Sequence, residues 1–378
     1  MKLNQICNIF SGYAFKSFNN EKLGIPIIKI GNILIDGSID LDKCQYSTET
    51  PNEKYLSQKD DIYVALSGAT TGKIGLMNKE GYYVNQRVGI IRMNDNSIPV
   101  SYLLYFLQSK TKKILNDAVG AAQQNISPKD ISNYNFPVFS FDEMSAISSK
   151  LFKIDNAIKN KQKQLFLLDE LIKSRFVEMF SNYKAEKTIN EIASICRGAS
   201  PRPISSFITK DEGENWIKIG DVGENDVYIT DTAEKVTKAG ADKSRRVKPG
   251  DFILSNSMSF GRPYILGING CVHDGWLIIS NYEKTFEPLF FYYLLRSEDV
   301  QMQFDGSANG ATVRNLNSDL VKKVVVMIPP MDKQKEFVDF AEQVDKSKFI
   351  VHSRYFLWEI LTLFSSTIAY SRVVSILA

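Results

Sequence analysis

The chain has 378 residues, of which 44% are hydrophobic, 24% charged and 11% aromatic, and its net charge is +3. That length suggests two or three domains, and that composition excludes a disordered chain. The near balance of charge excludes a strongly basic tail, so any nucleic-acid role must rest on local patches.

In chain order, the first stretch is a mixed α/β domain leaning to β. Short apolar or alternating runs at 25–30, 61–66 and 88–93 are separated by turns rich in Gly, Asn and Asp. A helix is predicted over 101–116, which is apolar, free of Gly and Pro, and Lys-rich at its end. A strand-like run ending at Pro137 closes the domain, giving a first domain at 1–141. From Asp142 to about Ser181 there is no Gly or Pro, and Ile147, Leu151, Ile154, Ile158, Leu165, Leu168, Ile172, Phe176 and Met179 recur in steps of mostly three and four. That is a heptad seam on a helix of roughly 38 residues, on the order of 57 Å long. A linking segment to 186, a second domain at 187–331 and a second helical tail at 332–378 follow. The second tail carries Phe337, Ala341, Val344, Val351, Tyr355 and Trp358 on a similar seam.

The two halves repeat one another. Ile27-Ile28-Lys29-Ile30-Gly31-Asn32 returns as Trp216-Ile217-Lys218-Ile219-Gly220-Asp221, Asp61-Ile62 as Asp251-Phe252, and Thr71-Gly72-Lys73 as Phe260-Gly261-Arg262. Gly120-Ala121 and Asn125-Ile126 match Gly310-Ala311 and Asn315-Leu316, and Ile154-Asp155 matches Val344-Asp345. Every pair is offset by about half the chain, far beyond a solenoid period, and the ordered series points to a duplication. The expected architecture is therefore two similar domains separated by long helices that pair as an antiparallel coiled coil, with an internal pseudo-two-fold. The alternative, each helix packed back on its own domain, fits less well with a seam running most of the helix.

Catalytic patterns are missing. Ser67-Gly68-Ala69-Thr70-Thr71-Gly72-Lys73 has three residues between its glycines and Ile74 after the lysine, which fails the phosphate-loop spacing. It reads instead as a tight turn presenting a cation. No Gly-x-Gly-x-x-Gly follows a strand, and no Asn-Pro-Pro-aromatic tetrapeptide of the amino-methyltransferases occurs. Neither of the two histidines, His273 and His352, lies in the first copy, so a shared nucleophile–His pair is ruled out. Four scattered cysteines with those histidines give no zinc spacing and no disulfide framework. No catalytic residue, metal or cofactor is expected.

What remains is polar and cationic loop chemistry in both copies. The candidates are Lys29, Asn32, Lys73, Gln86, Arg87, Gln123, Gln124 and Asn125 in the first, and Arg197, Arg202, Lys218, Arg262, His273, Arg314 and Asn315 in the second. Arg reads guanine bidentately and Asn or Gln reads adenine, so these are base-edge readers by type. Residues 187–330 carry 17 basic and 18 acidic side chains, so a DNA-binding second domain must segregate charge onto one face.

These blocks resemble the specificity subunit of type I restriction-modification enzymes. The resemblance covers about residues 1–350 and rests on the opening Ile6-Cys7-Asn8-Ile9-Phe10-Ser11-Gly12, the doubled Ile-Lys-Ile-Gly block, the Gly-Ala…Asn-Ile block, and Phe136-Pro137 running into a long helix with Ile154-Asp155. It implies a non-catalytic subunit of a type I restriction endonuclease and DNA adenine methyltransferase complex. Each domain would read one half of a split, asymmetric double-stranded DNA target. The helices would set the spacing and dock two methyltransferase subunits, with motor-nuclease subunits joining that core; the complex would be cytoplasmic, with no membrane partner. The alternatives from other classes are a stand-alone DNA-modifying or DNA-cleaving enzyme and a protein-only scaffold. The chain departs from the family pattern over 349–378, where only Arg354, Glu359 and Arg372 are charged. Arg354 and Glu359 interrupt that apolar run, which argues against a membrane-spanning helix.

Overall fold

The computed structural model describes residues 1–94, 96–119, 125–223, 226–256, 261–307 and 316–348. Gln123, Gln124, Arg314, Asn315 and the atypical end 349–378 lie outside them. The described residues form two compact units, 1–160 and 161–348.

In the first unit, an antiparallel sheet runs in the order Cys7–Ser11, Val88–Met93, Ile62–Ala65, Ile74–Leu76. The central strands are buried on both faces, which is why they read as continuous apolar runs rather than alternating ones. Beside it, Ile25–Ile28 pairs antiparallel with Gln45–Ser47 and parallel with Tyr83–Val84. The second unit repeats each of these strands and adds Ile208–Thr209 and Arg245–Val247 at the edges of the sheet built around Glu214–Ile217. Ser194–Arg197, Trp276–Ser280, Phe252–Ser255 and Pro263–Leu266 are neighbours in that order, extended by Tyr228–Ile229. Glu214–Ile217 pairs antiparallel with Glu234–Val236 and parallel with Gly270–Val272. The duplication legible in the sequence is thus a duplication of topology.

The repeated Ile-Lys-Ile-Gly block has a local cause. In each copy a strand ends just before the lysine, which caps the 3-10 turn that follows, Ile30–Asn32 or Ile219–Asp221. The side chain three residues after the lysine accepts from the lysine backbone N–H, Asn32 Oδ1 at 2.8 Å and Asp221 Oδ2 at 2.7 Å. Asn and Asp serve here because their short side chains reach back to cap a turn.

The helix predicted over 101–116 is two helices, Val100–Ser109 and Thr111–Val119. Ser109 and Thr111 donate their hydroxyls to the carbonyls of Phe106 and Gln108, a local alternative to the helix ladder that accompanies the break. The long helix is a single element, Phe141–Phe180. It starts with a reciprocal cap, in which Glu143 N–H donates to Ser140 Oγ while Ser140 N–H and Oγ donate to Glu143 Oε2.

Its seam is used in pieces. In the first unit, Met144 is buried in the domain core and Ile147 packs against it, Ile154 and Ile158 are half-buried, and Leu151 is 36% exposed. In the second unit Leu165 is half-buried, while Ile172, Phe176 and Phe180 are buried together with Phe337, Val338, Ala341 and Val344, and Leu168 packs against them. The helical run 331–348 lies antiparallel to this part of the long helix: Lys348 meets Asp169 at 2.7 Å, and Arg175 meets Glu336 at 3.4 Å. The pair does not stand clear of the domain. Phe176 stacks on Phe290 at 5.7 Å and meets Phe337 edge-on at 5.3 Å, so domain helix Pro288–Leu295 is a third partner to the seam. The expected two-helix contact is present, and packing onto a domain core is present with it.

Candidate nucleic-acid interface

In the first unit the candidate residues gather where the two sheets end. Leu66 N–H donates to Arg87 O, Ile126 N–H donates to Leu66 O, and Ser67 bridges Asn125. Arg87, the 67–73 turn and exposed Asn125 are therefore neighbours. Gly68 and Gly72 hold positive φ, 80° and 82°, and give the turn its shape. Lys73 leaves it half-buried.

Lys29 donates to Gln45 Oε1 at 2.6 Å and sits 3.7 Å from the centre of the Phe18 ring, a cation–π contact. Burial lowers its ammonium below the usual lysine range, and the nearby Arg87 guanidinium lowers it further. Two cations held close without an acid between them favour an incoming anion. Among the described residues, Lys29, Lys73 and Arg87 have no carboxylate partner within ion-pair distance. Gln86 and Arg87 are exposed. Asn32 is placed differently: it is 4% exposed, its Oδ1 is used by the lysine cap, and its Nδ2 donates to Asp40 O at 2.8 Å. Its amide is spent inside the turn, so it is a cap rather than a free base reader.

The second unit builds the same end with different charge. Lys218, the counterpart of Lys29, is neutralised by Glu234 at 2.7 Å; Glu234 stands on the strand equivalent to that of Gln45. Arg262 takes the place of Lys73, following Gly261 with φ of 69°. The turn 273–275 corresponds to 85–87. Gly198 packs against it so closely that a Cβ would lie 2.1 Å from His273 O, just as one on Gly12 would lie 2.2 Å from Val84 O.

Around this turn, Arg197 Nε donates to Asp274 O at 2.8 Å, Ser200 Oγ donates to Asp274 Oδ1 at 2.7 Å, and Arg202 Nη2 donates to Asp274 Oδ2 at 3.0 Å. The Ser200 hydroxyl first, then the Asp274 backbone N–H and the Arg202 charge, hold the Asp274 carboxyl below the usual carboxylate range. His273 Nδ1 accepts from Gly275 N–H at 2.8 Å, and burial lowers its imidazole below the usual value. The neutral ring therefore carries its proton on Nε2. His273 and Asp274 line two recesses, one of about 440 Å³ together with Arg197 and one of about 400 Å³ together with Arg202.

Three partners of the predicted residues are not evident from the sequence: Gln45, Glu234 and Asp274. Gln45 and Glu234 stand at the same spacing after their lysines, which marks them as equivalent positions, while their contact with those lysines is set by strand register.

The family model for the type I restriction modification DNA specificity domain matches the chain twice, over residues 1–166 and 181–354. The chain belongs to this family. Two relatives align with the chain over most of their length. The EcoBI type I restriction enzyme specificity subunit of Escherichia coli is 21% identical, over 91% of this chain and 78% of its own. A Methanocaldococcus jannaschii protein named as the MjaX type I restriction enzyme specificity subunit is 25% identical, over 91% of this chain and 86% of its own. The crystal structure of the type I restriction-modification S subunit from M. genitalium superposes with a TM-score of 0.55 at 15% identity, covering 96% of this chain and 92% of that one. It supports the family fold. Among the described residues, no helix is long and apolar enough to cross a membrane.

Proposed function

We propose that the chain is the sequence-reading, non-catalytic subunit of a type I restriction-modification complex. Domains 1–141 and 187–331 each read one half of a split, asymmetric double-stranded DNA target. The segments 142–186 and 332–378 set the gap between the halves and dock two methyltransferase subunits, and motor-nuclease subunits join that core in the cytoplasm. The observation that carries this reading is one topology built twice, with the same turns at the same strand ends and different side chains on them. A scaffold that bound only protein would have no use for that pattern. Phe166, Leu167, Leu171 and Val177 of the long helix are exposed, an apolar surface of the kind protein partners cover.

The charge pattern fits base reading supported by modest phosphate binding. Among the described residues the first domain keeps Lys29, Lys73 and Arg87 without carboxylate partners, whereas Lys218 and Arg202 of the second are matched to Glu234 and Asp274. Phosphate contacts position a protein on DNA, and base contacts specify the sequence. The test is to express the chain with type I methyltransferase subunits and map modified bases across a genome. The expected result is one motif of two short halves separated by a gap of unread bases. A contiguous motif, or no methylation with a demonstrably assembled complex, overturns the reading. Methyl transfer or DNA cleavage by the isolated chain would favour the enzyme alternative.

A further inference from the structure

We propose that Asp274 is a positioning residue for specificity: it braces Arg197 and Arg202 to read the guanine of a G·C pair in the half-site of the second domain. This rests on the reading of the chain as a DNA specificity subunit and adds to it a residue, a role and a base.

The geometry presents donors on a rigid mount. Arg197 is tied to the backbone of Asp274 through Nε alone, and Arg202 to its carboxylate through one Nη, so each guanidinium keeps further N–H groups for a ligand. The His273 ring is fixed by the Gly275 N–H bond to Nδ1, which leaves Nε2–H as a third donor. The mount itself is tied down, because Asp274 N–H donates to Ser200 Oγ at 3.2 Å and Asn256 N–H donates to Gly275 O at 3.2 Å. Gly198 allows the close approach that brings Ser200 and Arg202 over the turn.

Donors held on one turn select an acceptor edge. In the major groove guanine offers two acceptors, N7 and O6, whereas adenine sets an N6 amino donor beside its one acceptor. A third donor such as His273 Nε2–H adds to the mismatch with adenine. Cytosine opposite the guanine carries an N4 amino donor, which a carboxylate can accept. Asp274, 43% exposed at its side chain, has lone pairs left for it. The same carboxylate argues against a phosphate as the ligand, since it would face the anion. The first copy has Gln86-Arg87 at this turn and no acid, so the brace belongs to one domain.

The experiment is motif mapping by modified-base sequencing for the chain co-expressed with its methyltransferase subunits, comparing the parent with Asp274→Ala and Arg202→Ala. The parent motif reports the underlying reading independently: if the parent gives no bipartite motif, that reading has failed and not this one. The inference requires a G·C pair in one half of the parent motif. In D274A, discrimination at that pair falls by about 5- to 150-fold, the range for loss of one good bidentate contact, while the other half keeps its sequence. If D274A abolishes methylation at both halves, R202A decides, because Arg202 is 74% exposed at its side chain and is not needed to build the core. Relaxation at the same single position in R202A supports the inference. An unchanged motif in R202A, or a uniform loss across all sites that narrows as salt is added, overturns it, the latter because it marks a lost phosphate contact.

Discussion

Replacing Arg92 with methionine should destabilise the first domain selectively. Asp61 is 1% exposed and is held by Arg92 through two bonds, Nε to Oδ1 at 2.8 Å and Nη2 to Oδ2 at 2.7 Å. The guanidinium is itself satisfied, donating to Leu56 O at 2.8 Å. Methionine keeps a stem of similar length beside Phe10 but leaves a buried carboxylate without its counter-charge. Removing one partner of a buried pair costs about 3–5 kcal/mol, a large share of a typical domain stability of about 5–15 kcal/mol. At about 2–4 °C or more per kcal/mol, the first domain should melt on the order of 10–20 °C lower. A two-domain chain is not a two-state system, so the assay is hydrogen exchange read by peptide in urea, which separates the domains. Trp216 and Trp276 lie in the second domain, and their fluorescence transition should hardly move. Asp61→Asn in the R92M background should restore much of the loss, because the uncompensated charge is then gone. An R92M first domain within about 1 kcal/mol of the parent would refute the reasoning.

The duplicated position in the second domain behaves oppositely. Asp251 is 5% exposed, and its Oδ1 has no hydrogen-bond partner. Burial raises its carboxyl above the usual range, so at pH between the usual value and the raised one the native state binds a proton more readily than the unfolded chain. Stability then falls as pH rises from the usual carboxylate value through the raised one. Asp251→Asn should remove that slope and leave the second domain at least as stable as the parent near neutral pH, read by urea unfolding of the tryptophan signal at several pH values; a loss of more than about 1 kcal/mol at pH 7 contradicts it. A second prediction concerns the spacer. Inserting four residues near Gln164 adds about 6 Å of helix, and DNA advances about 3.4 Å per base pair. The mapped gap should grow by one or two base pairs with both halves intact, whereas an unchanged gap at full activity removes the ruler.

Much of this architecture is legible in the residues because a duplication states its constraints twice. The Ile-Lys-Ile-Gly blocks mark a strand and a capped turn in both copies, and the apolar runs at 62–65 and 252–255 mark the central strands. Site residues are less legible. Asn32 looks like an exposed loop amide until its match with Asp221 is taken as a shared capping requirement. The Lys29–Gln45 and Lys218–Glu234 pairs depend on strand register, which residue spacing alone does not give. Asp274 is visible beside His273, but its hold on Arg197 and Arg202 exists only because Ser194–Arg197 lies against Trp276–Ser280. The seam likewise predicts a partner without naming it: Phe176 finds Phe337 as expected and Phe290 in addition.

The central claim is that the two domains read DNA independently. Its most direct measurement is a swap of residues 187–330 for the second domain of another member of the family, with methylation motifs mapped before and after in cells that also supply the methyltransferase subunits. The swapped chain should methylate a motif with one half unchanged and the other replaced by the donor's half. A change in both halves, or in neither while methylation continues, would contradict the account.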